Sequence, residues 1–213
     1  MEEKISNMKK KIVIPGELVS EERKKVGQHV FVENGKIFSD SLGLTYADSD
    51  FASVVPLHGK YLPQREDLIV GIVAQETFGG YLVDINSFYF SFVSKEFIRE
   101  RLQKGSIISA KILSVNEINE AELGNVRVFY GGEIVSISPV KVPRVIGKNA
   151  SMMEALKKGT ASNILVGRNG RIWAKGGDIP LLLKAIKKIE EESHLSNLTK
   201  KIEHFLEEQK KEN

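Results

Sequence analysis

The chain has 213 residues, 41% of them hydrophobic, enough for one to three small domains with a real core. It has no cysteine, which excludes a disulfide scaffold and any thiolate-held zinc or iron–sulfur site. Its net charge of +3 is unevenly divided, with −3 over residues 1–137 and +6 over residues 138–213.

Residues 12–63 read as short strands and turns. Ile12-Val13-Ile14 is a strand seed stopped by Pro15-Gly16. His29 to Val32 and Ile37 to Ser39 flank Asn34-Gly35, whose residue types suit the positive φ angles of a type I′ hairpin turn. Val54-Val55 is a further strand fragment, broken by the run Pro56 to Pro63. The sequence therefore predicts a small β-rich domain over residues 1–63. Its core is thin and needs a neighbour.

Residues 64–137 are also β-rich. Strands are predicted at Ile69–Ala74, Tyr81–Ile85, Phe88–Val93, Ile107–Leu113 and Val126–Tyr130. A short helix is predicted over Glu96–Gln103. Five short strands with a helical turn after the third match a small OB-type barrel.

From residue 138 the period changes. Val140-Lys141-Val142 reads as a strand, and Ser151 to about Lys158 as a helix. Strands at Asn163–Val166 and Arg171–Lys175 flank a tight Arg168-Asn169-Gly170 turn. Asp178 suits the N-cap of a helix whose apolar face is Ile179, Leu182, Leu183, Ile186 and Ile189. A last helix starts near Ser196, with Leu198, Ile202, Phe205 and Leu206 on its face and a charged tail. Residues 138–213 thus form an α+β domain. Met1 to Lys11 lacks the apolar stretch of a signal peptide, and no apolar run approaches the ~20 residues that span a bilayer. A cytoplasmic protein with no membrane attachment is expected.

Signs of catalysis are missing. There is no Gly-x-Ser-x-Gly elbow and no Gly-Lys-Ser/Thr phosphate loop. The four histidines (29, 58, 194 and 204) lie in unrelated settings without metal-ligand spacing. Asp84, the one acid inside an apolar strand, reads as a solvent-side or hydrogen-bonded strand residue. The expectation is a protein that is not an enzyme and holds no cofactor or metal.

Binding features are stronger. Eight basic residues lie within 138–175, opposed only by Glu154. That excess suits a polyanion, or else a solvated lysine face. Gly147-Lys148-Asn149-Ala150 opens a helix, where free amides favour phosphate, with Arg144 and Lys148 adding charge. A plain turn into a helix is the other reading. The K-homology (KH) RNA-binding fold uses a Gly-x-x-Gly loop in this way. Among the aromatics, Phe78 and Tyr81 flank a glycine bend and are expected to be exposed for base stacking, while Phe88 to Phe92 is expected to be core. Gly167-Arg168-Asn169-Gly170 reads as primarily structural, with Trp173 anchoring the packing and its ring N–H seeking an acceptor.

The order of domains, with several motifs, resembles the S1/KH-type RNA-binding cap subunit of the archaeal exosome. The motifs are Pro15-Gly16-Glu17-Leu18, Glu33 to Ser39, Pro56 to Pro63, Val83-Asp84-Ile85-Asn86-Ser87, Val142 to Lys148 and the Gly167-Arg168-Asn169-Gly170 turn. The likeness spans roughly residues 12–200. It implies a non-catalytic subunit, three copies of which cap a six-membered ring of RNase PH-like subunits. The zinc-ribbon cap subunit can share such a cap. The N-terminal domain would dock on the ring, the S1-type barrels would surround the pore, and the KH-type domains would lie outside. The cap would recruit single-stranded RNA, adenine-rich tails above all, and thread its 3′ end inward.

Candidate RNA contacts are Phe78, Tyr81, Lys111, Arg127, Arg144, Gly147, Lys148, Asn149, Arg168 and Arg171. The resemblance implies that Gly167, Asn169 and Gly170, with Trp173, support packing between the barrel and the KH-type domain. Two departures from the family pattern stand out. Ala150 replaces the second loop glycine, and Arg65-Glu66-Asp67 stands where Gly-Asp is commoner. Rival readings are a transcription elongation or antitermination factor, which generally carries two KH units, and a free-standing RNA chaperone, which needs no docking domain.

Overall fold

The computed structural model describes residues 11–212, except 49, 58, 99, 194 and 196. His58, His194 and Ser196, where the sequence starts the last helix, lie outside the described residues. The chain forms two units, one up to Gly59 and one from Lys60 onward.

The first unit holds β1 (Ile12–Val13), β2 (Leu18–Ser20), β3 (Lys25–Val26), β4 (Val30–Glu33), β5 (Lys36–Ser39), β6 (Gly43–Ala47) and β7 (Phe51–Pro56). They make two sheets, ordered β1-β6-β7-β3 and β2-β5-β4. The β4–β5 hairpin closes at Glu33 opposite Lys36, with Asn34 at φ 50° and Gly35 at φ 78°. Both φ angles are positive, as a type I′ turn requires. Val13, Ile37, Ala52 and Val54 are buried, and little else apolar joins them. Ile12, Ile14, Val26, Phe31, Val32, Tyr46 and Val55 are all exposed.

The second unit begins with a closed barrel of β8 (Leu68–Glu76), β9 (Gly80–Asp84), β10 (Ser91–Ser94), β11 (Ile107–Val115) and β12 (Ala121–Phe129). The order is β10-β12-β11-β8-β9, closed by β9 pairing β10. Only β10–β12 is parallel among these pairs. That is the strand order of an OB fold. Ile69, Val73, Tyr81, Val83, Ile85, Val93, Ile108, Ile112 and Leu123 fill it. Two expectations need correction. The helix over Glu96–Gln103 is a single 3₁₀ turn, Lys95–Phe97, capped by Ser94 and ended by extended backbone at Ile98. The third strand starts at Ser91, not Phe88, because residues 86–89 bend.

The remainder is α+β: β13 (Glu133–Ser136), α1 (Val142–Ile146), α2 (Ser151–Thr160), β14 (Asn163–Val166), β15 (Arg171–Lys175), α3 (Ile179–Glu191) and α4 (Leu198–Glu212). The sheet order is β13-β15-β14, all antiparallel. Val140-Lys141-Val142 is not a strand. It is the end of a 3₁₀ turn leading into α1. Pro139 and Pro143 sit in first turns, where their fixed φ favours helix, and Val142 and Val145 bury one face at a spacing of three. Asp178 caps α3, its carboxylate accepting the Leu181 amide at 2.8 Å. Leu181, Leu182, Ala185, Ile186 and Ile189 form the buried face, while Leu183 is exposed. Helix α4 lays Leu198, Ile202 and Leu206 on the same core. No described helix is long and apolar enough to cross a membrane.

Candidate nucleic-acid interface

The turn between β14 and β15 is a docking device. β9 pairs β8 only from Ile72 onward, which leaves the outer edge of Leu68 to Val70 without a strand partner. Asn169 fills that gap and is fully buried. Its Oδ1 accepts the Val70 amide at 3.2 Å, and its Nδ2 donates to Val70 O at 2.7 Å and to Ile85 O at 2.8 Å. Arg168 N donates to Leu68 O at 2.8 Å. One side chain thus substitutes for the missing strand. A Cβ on Gly167 would lie 2.3 Å from Asn169 Oδ1 and 2.7 Å from Val70 N, so this approach needs glycine.

Arg171 continues the dock. Its Nη1 donates to Asp84 O at 2.5 Å and its Nη2 to Asp84 Oδ2 at 2.7 Å. Burial alone would raise the Asp84 carboxyl, but the Arg171 guanidinium and the Asn86 amide outweigh it and hold it below the usual range. Asn86 Nδ2 in turn donates to Asn169 O at 2.9 Å. Trp173 stacks on Phe129 at 4.2 Å and donates from Nε1 to Gly131 O at 2.9 Å. Expecting Arg171 as a phosphate contact is therefore corrected. It is only 9% exposed and is directed at Asp84.

The turn before α2 has the opposite character. Gly147 lies at φ 75°, ψ 171°, a region essentially restricted to glycine. A Cβ there would meet Met152 N at 2.6 Å. Asn149 and Ala150 both adopt left-handed backbone, at φ 52° and 63°. The turn therefore takes a glycine-like path although its last residue is alanine. Among the described residues no side chain caps α2. The Ala150 and Ser151 amides donate within the turn, to Gly147 O and Lys148 O, and the positive end of the helix dipole behind them favours an anion. Arg144, Lys148 and Asn149 are exposed around it. Glu66, the other departure from the family pattern, also has positive φ, at 74°.

The aromatic residues change places relative to expectation. Phe78 is fully exposed, but Tyr81 is 2% exposed, and its hydroxyl accepts the Leu102 amide at 3.2 Å. The pleat explains this, since Tyr81 and Val83 point inward on β9 while Leu82 and Asp84 point outward. The run expected to be core is exposed instead: Phe88 at 60%, Tyr89 at 51%, Phe90 at 55%. These three precede β10, and within β10 alternation buries Ser91 and Val93 and leaves Phe92 partly out. Lys60 Nζ stands 5.1 Å from the Phe88 ring centroid.

Of the other basic candidates, Lys111 is ion-paired with Glu66 and holds that carboxyl below its usual range. It is already occupied. Arg127 is exposed on β12, 5.5 Å from the Phe129 ring. Arg168 is exposed at the docking turn. Among the described residues no group of three or more acidic or histidine side chains is placed to hold a metal ion.

Comparison with known proteins matches these parts. A model of the exosome RNA binding protein RRP4 N-terminal domain fits residues 10–58, and a KH-domain model fits residues 132–180. The exosome complex component Rrp4 of Methanosarcina barkeri is 40% identical over 214 residues, 93% of this chain and 82% of that protein. The one from Pyrococcus furiosus is 36% identical over 218 residues, 92% of this chain and 83% of that protein. A solved structure of a protein described as an exosome complex RNA-binding protein is 32% identical with a TM-score of 0.64, over 72% of this chain and 98% of that chain. With relatives this similar along nearly its whole length, and with the two family models matching before and after the barrel in sequence, the chain belongs to the Rrp4 family of exosome complex components.

Proposed function

We propose that this chain is a non-catalytic RNA-binding subunit of an exosome, a cap that collects single-stranded RNA and passes its 3′ end into a ring of RNase PH-like subunits. The cap is a homotrimer on a hexameric ring, with room for the zinc-ribbon subunit in mixed caps. Adenine-rich 3′ ends are its preferred load. The observation that carries the reading is the turn from Gly147 to Ala150. It has left-handed backbone, a helix start without a side-chain cap behind it, and exposed Arg144 and Lys148 beside it. Such a turn favours a phosphate over any neutral ligand.

The exposed apolar residues of the first unit support a docking role, because a domain with so few buried residues gains from covering them. The test is assembly. Mixed with an RNase PH-like hexamer, the chain should add three copies by mass and raise RNA affinity of the complex. The purified chain alone, given phosphate and magnesium, should leave a labelled oligoribonucleotide intact. A chain that ignores the ring would argue for a free-standing RNA binder instead.

A further inference from the structure

We propose, resting on the RNA-binding reading above, that the connection between β9 and β10 is a base-stacking site for single-stranded RNA, with Phe88, Tyr89 and Phe90 as its rings and Lys60 as its cation. Three consecutive rings, each more than half exposed, are unusual on a soluble surface and mark a contact. The segment from Ile85 to Val93 carries no charge of its own. Lys60 Nζ lies over Phe88, so a cation sits beside the rings, and the same lysine acts on the Asp84 carboxyl at the base of the segment. Alternating π-faces and phosphates are what a single strand presents, and rings flanked by cations match it. An apolar protein partner would not require the lysine.

The site is anchored at its base. Asp84, Ile85 and Asn86 are held by Arg171 and Asn169 through bonds of 2.5–2.9 Å. The Asn86 amide also donates to Asp84 Oδ1 at 2.8 Å. The rings therefore project from a fixed point, which lowers the ordering cost of binding. Exposed Arg168 belongs to the same turn as Asn169. Phe78 precedes β9 while these rings follow it, so Phe78 is not part of this platform.

The test uses the full chain and two strands of equal length, oligo(A) and an abasic phosphodiester strand, measured by fluorescence anisotropy. The triple variant Phe88→Ala/Tyr89→Ala/Phe90→Ala should lose ~10-fold or more on oligo(A), the range expected for one or more stacked bases. Its affinity for the abasic strand should not change. Phe88→Tyr/Tyr89→Phe/Phe90→Tyr, which keeps the rings, should restore oligo(A) binding. Equal loss on both strands would mean a charge or folding effect and overturns the site. Unchanged oligo(A) affinity, or loss of ring assembly with RNA binding intact, overturns it too while leaving the RNA-binding reading standing. Wild-type protein that binds neither strand sinks both.

Discussion

Asn169 satisfies three backbone groups of the barrel at once, and none has water as a substitute because the residue is fully buried. Asn169→Ala strands the Val70 amide and two carbonyls. Unsatisfied buried groups cost about 1–3 kcal/mol each, so a loss of about 3 kcal/mol or more is expected in urea unfolding at neutral pH. A change under about 1 kcal/mol would show that the groups find other partners. Asp84 gives a pH signature. Its folded-state carboxyl titrates below its ordinary value. Its contribution is therefore complete above the unfolded value of about 3.9 and disappears as pH falls through the lower, folded value. Asp84→Asn should be less stable than wild type at neutral pH, and the gap should narrow below about pH 4. Unfolding midpoints from pH 2 to 7 measure this, and a constant gap would contradict it. Residue types suggest a turn at Gly167-Arg168-Asn169-Gly170, but not the three backbone groups, at Val70 and Ile85, that Asn169 meets. Nor was the assignment of Arg171 legible, because its partner Asp84 lies 87 positions away.

At the scale of an element, the turn from Gly147 to Ala150 carries opposite strains at its two ends. Gly147→Ala puts a methyl into Met152 N at a φ and ψ that only glycine adopts, and should cost about 2 kcal/mol and weaken RNA binding. Ala150→Gly relieves a left-handed alanine. That conformation costs roughly 1–2 kcal/mol, partly offset by the ~0.5–1 kcal/mol entropic cost of glycine. A net gain of about 0.5 kcal/mol in thermal or urea unfolding is expected, and a loss would show that the methyl makes favourable contacts. The hairpin at Asn34-Gly35, the α3 cap at Asp178 and strands β14 and β15 were legible because local chemistry dictates them. The strand over Val140–Val142 was misread because β-branched residues there are buried by a helix face, a tertiary matter. Phe88 to Phe90 were misread for the same kind of reason. Alternation predicts which side a residue faces only once the start of the strand is known, and the bend at residues 86–89 delays it.

For the whole molecule, the separation of charge matters more than its sum. The basic excess lies in residues 138–213, yet Arg171 is held by Asp84, Lys141 by Glu190 O and Lys175 by Tyr130 O. Arg144 and Lys148 remain exposed at the turn before α2. Replacing both with alanine should weaken RNA binding alike across sequences and reduce the salt slope by about 1.4, two charges at ~0.7 each for a single strand. Anisotropy titrations over a range of salt test this. An unchanged slope with altered base preference would place the phosphate contacts elsewhere.

By itself the sequence determined the barrel's strand content, the hairpins and caps, the thin first unit and the family, because each rests on local spacing or on motifs spread along the chain. Only the tertiary structure decided which side chains are free to meet a ligand. Burial took Tyr81 inward and Arg171 into an ion pair, and a bend put Phe88, Tyr89 and Phe90 into solvent. Availability depends on partners distant in sequence, and local pattern carries no record of them.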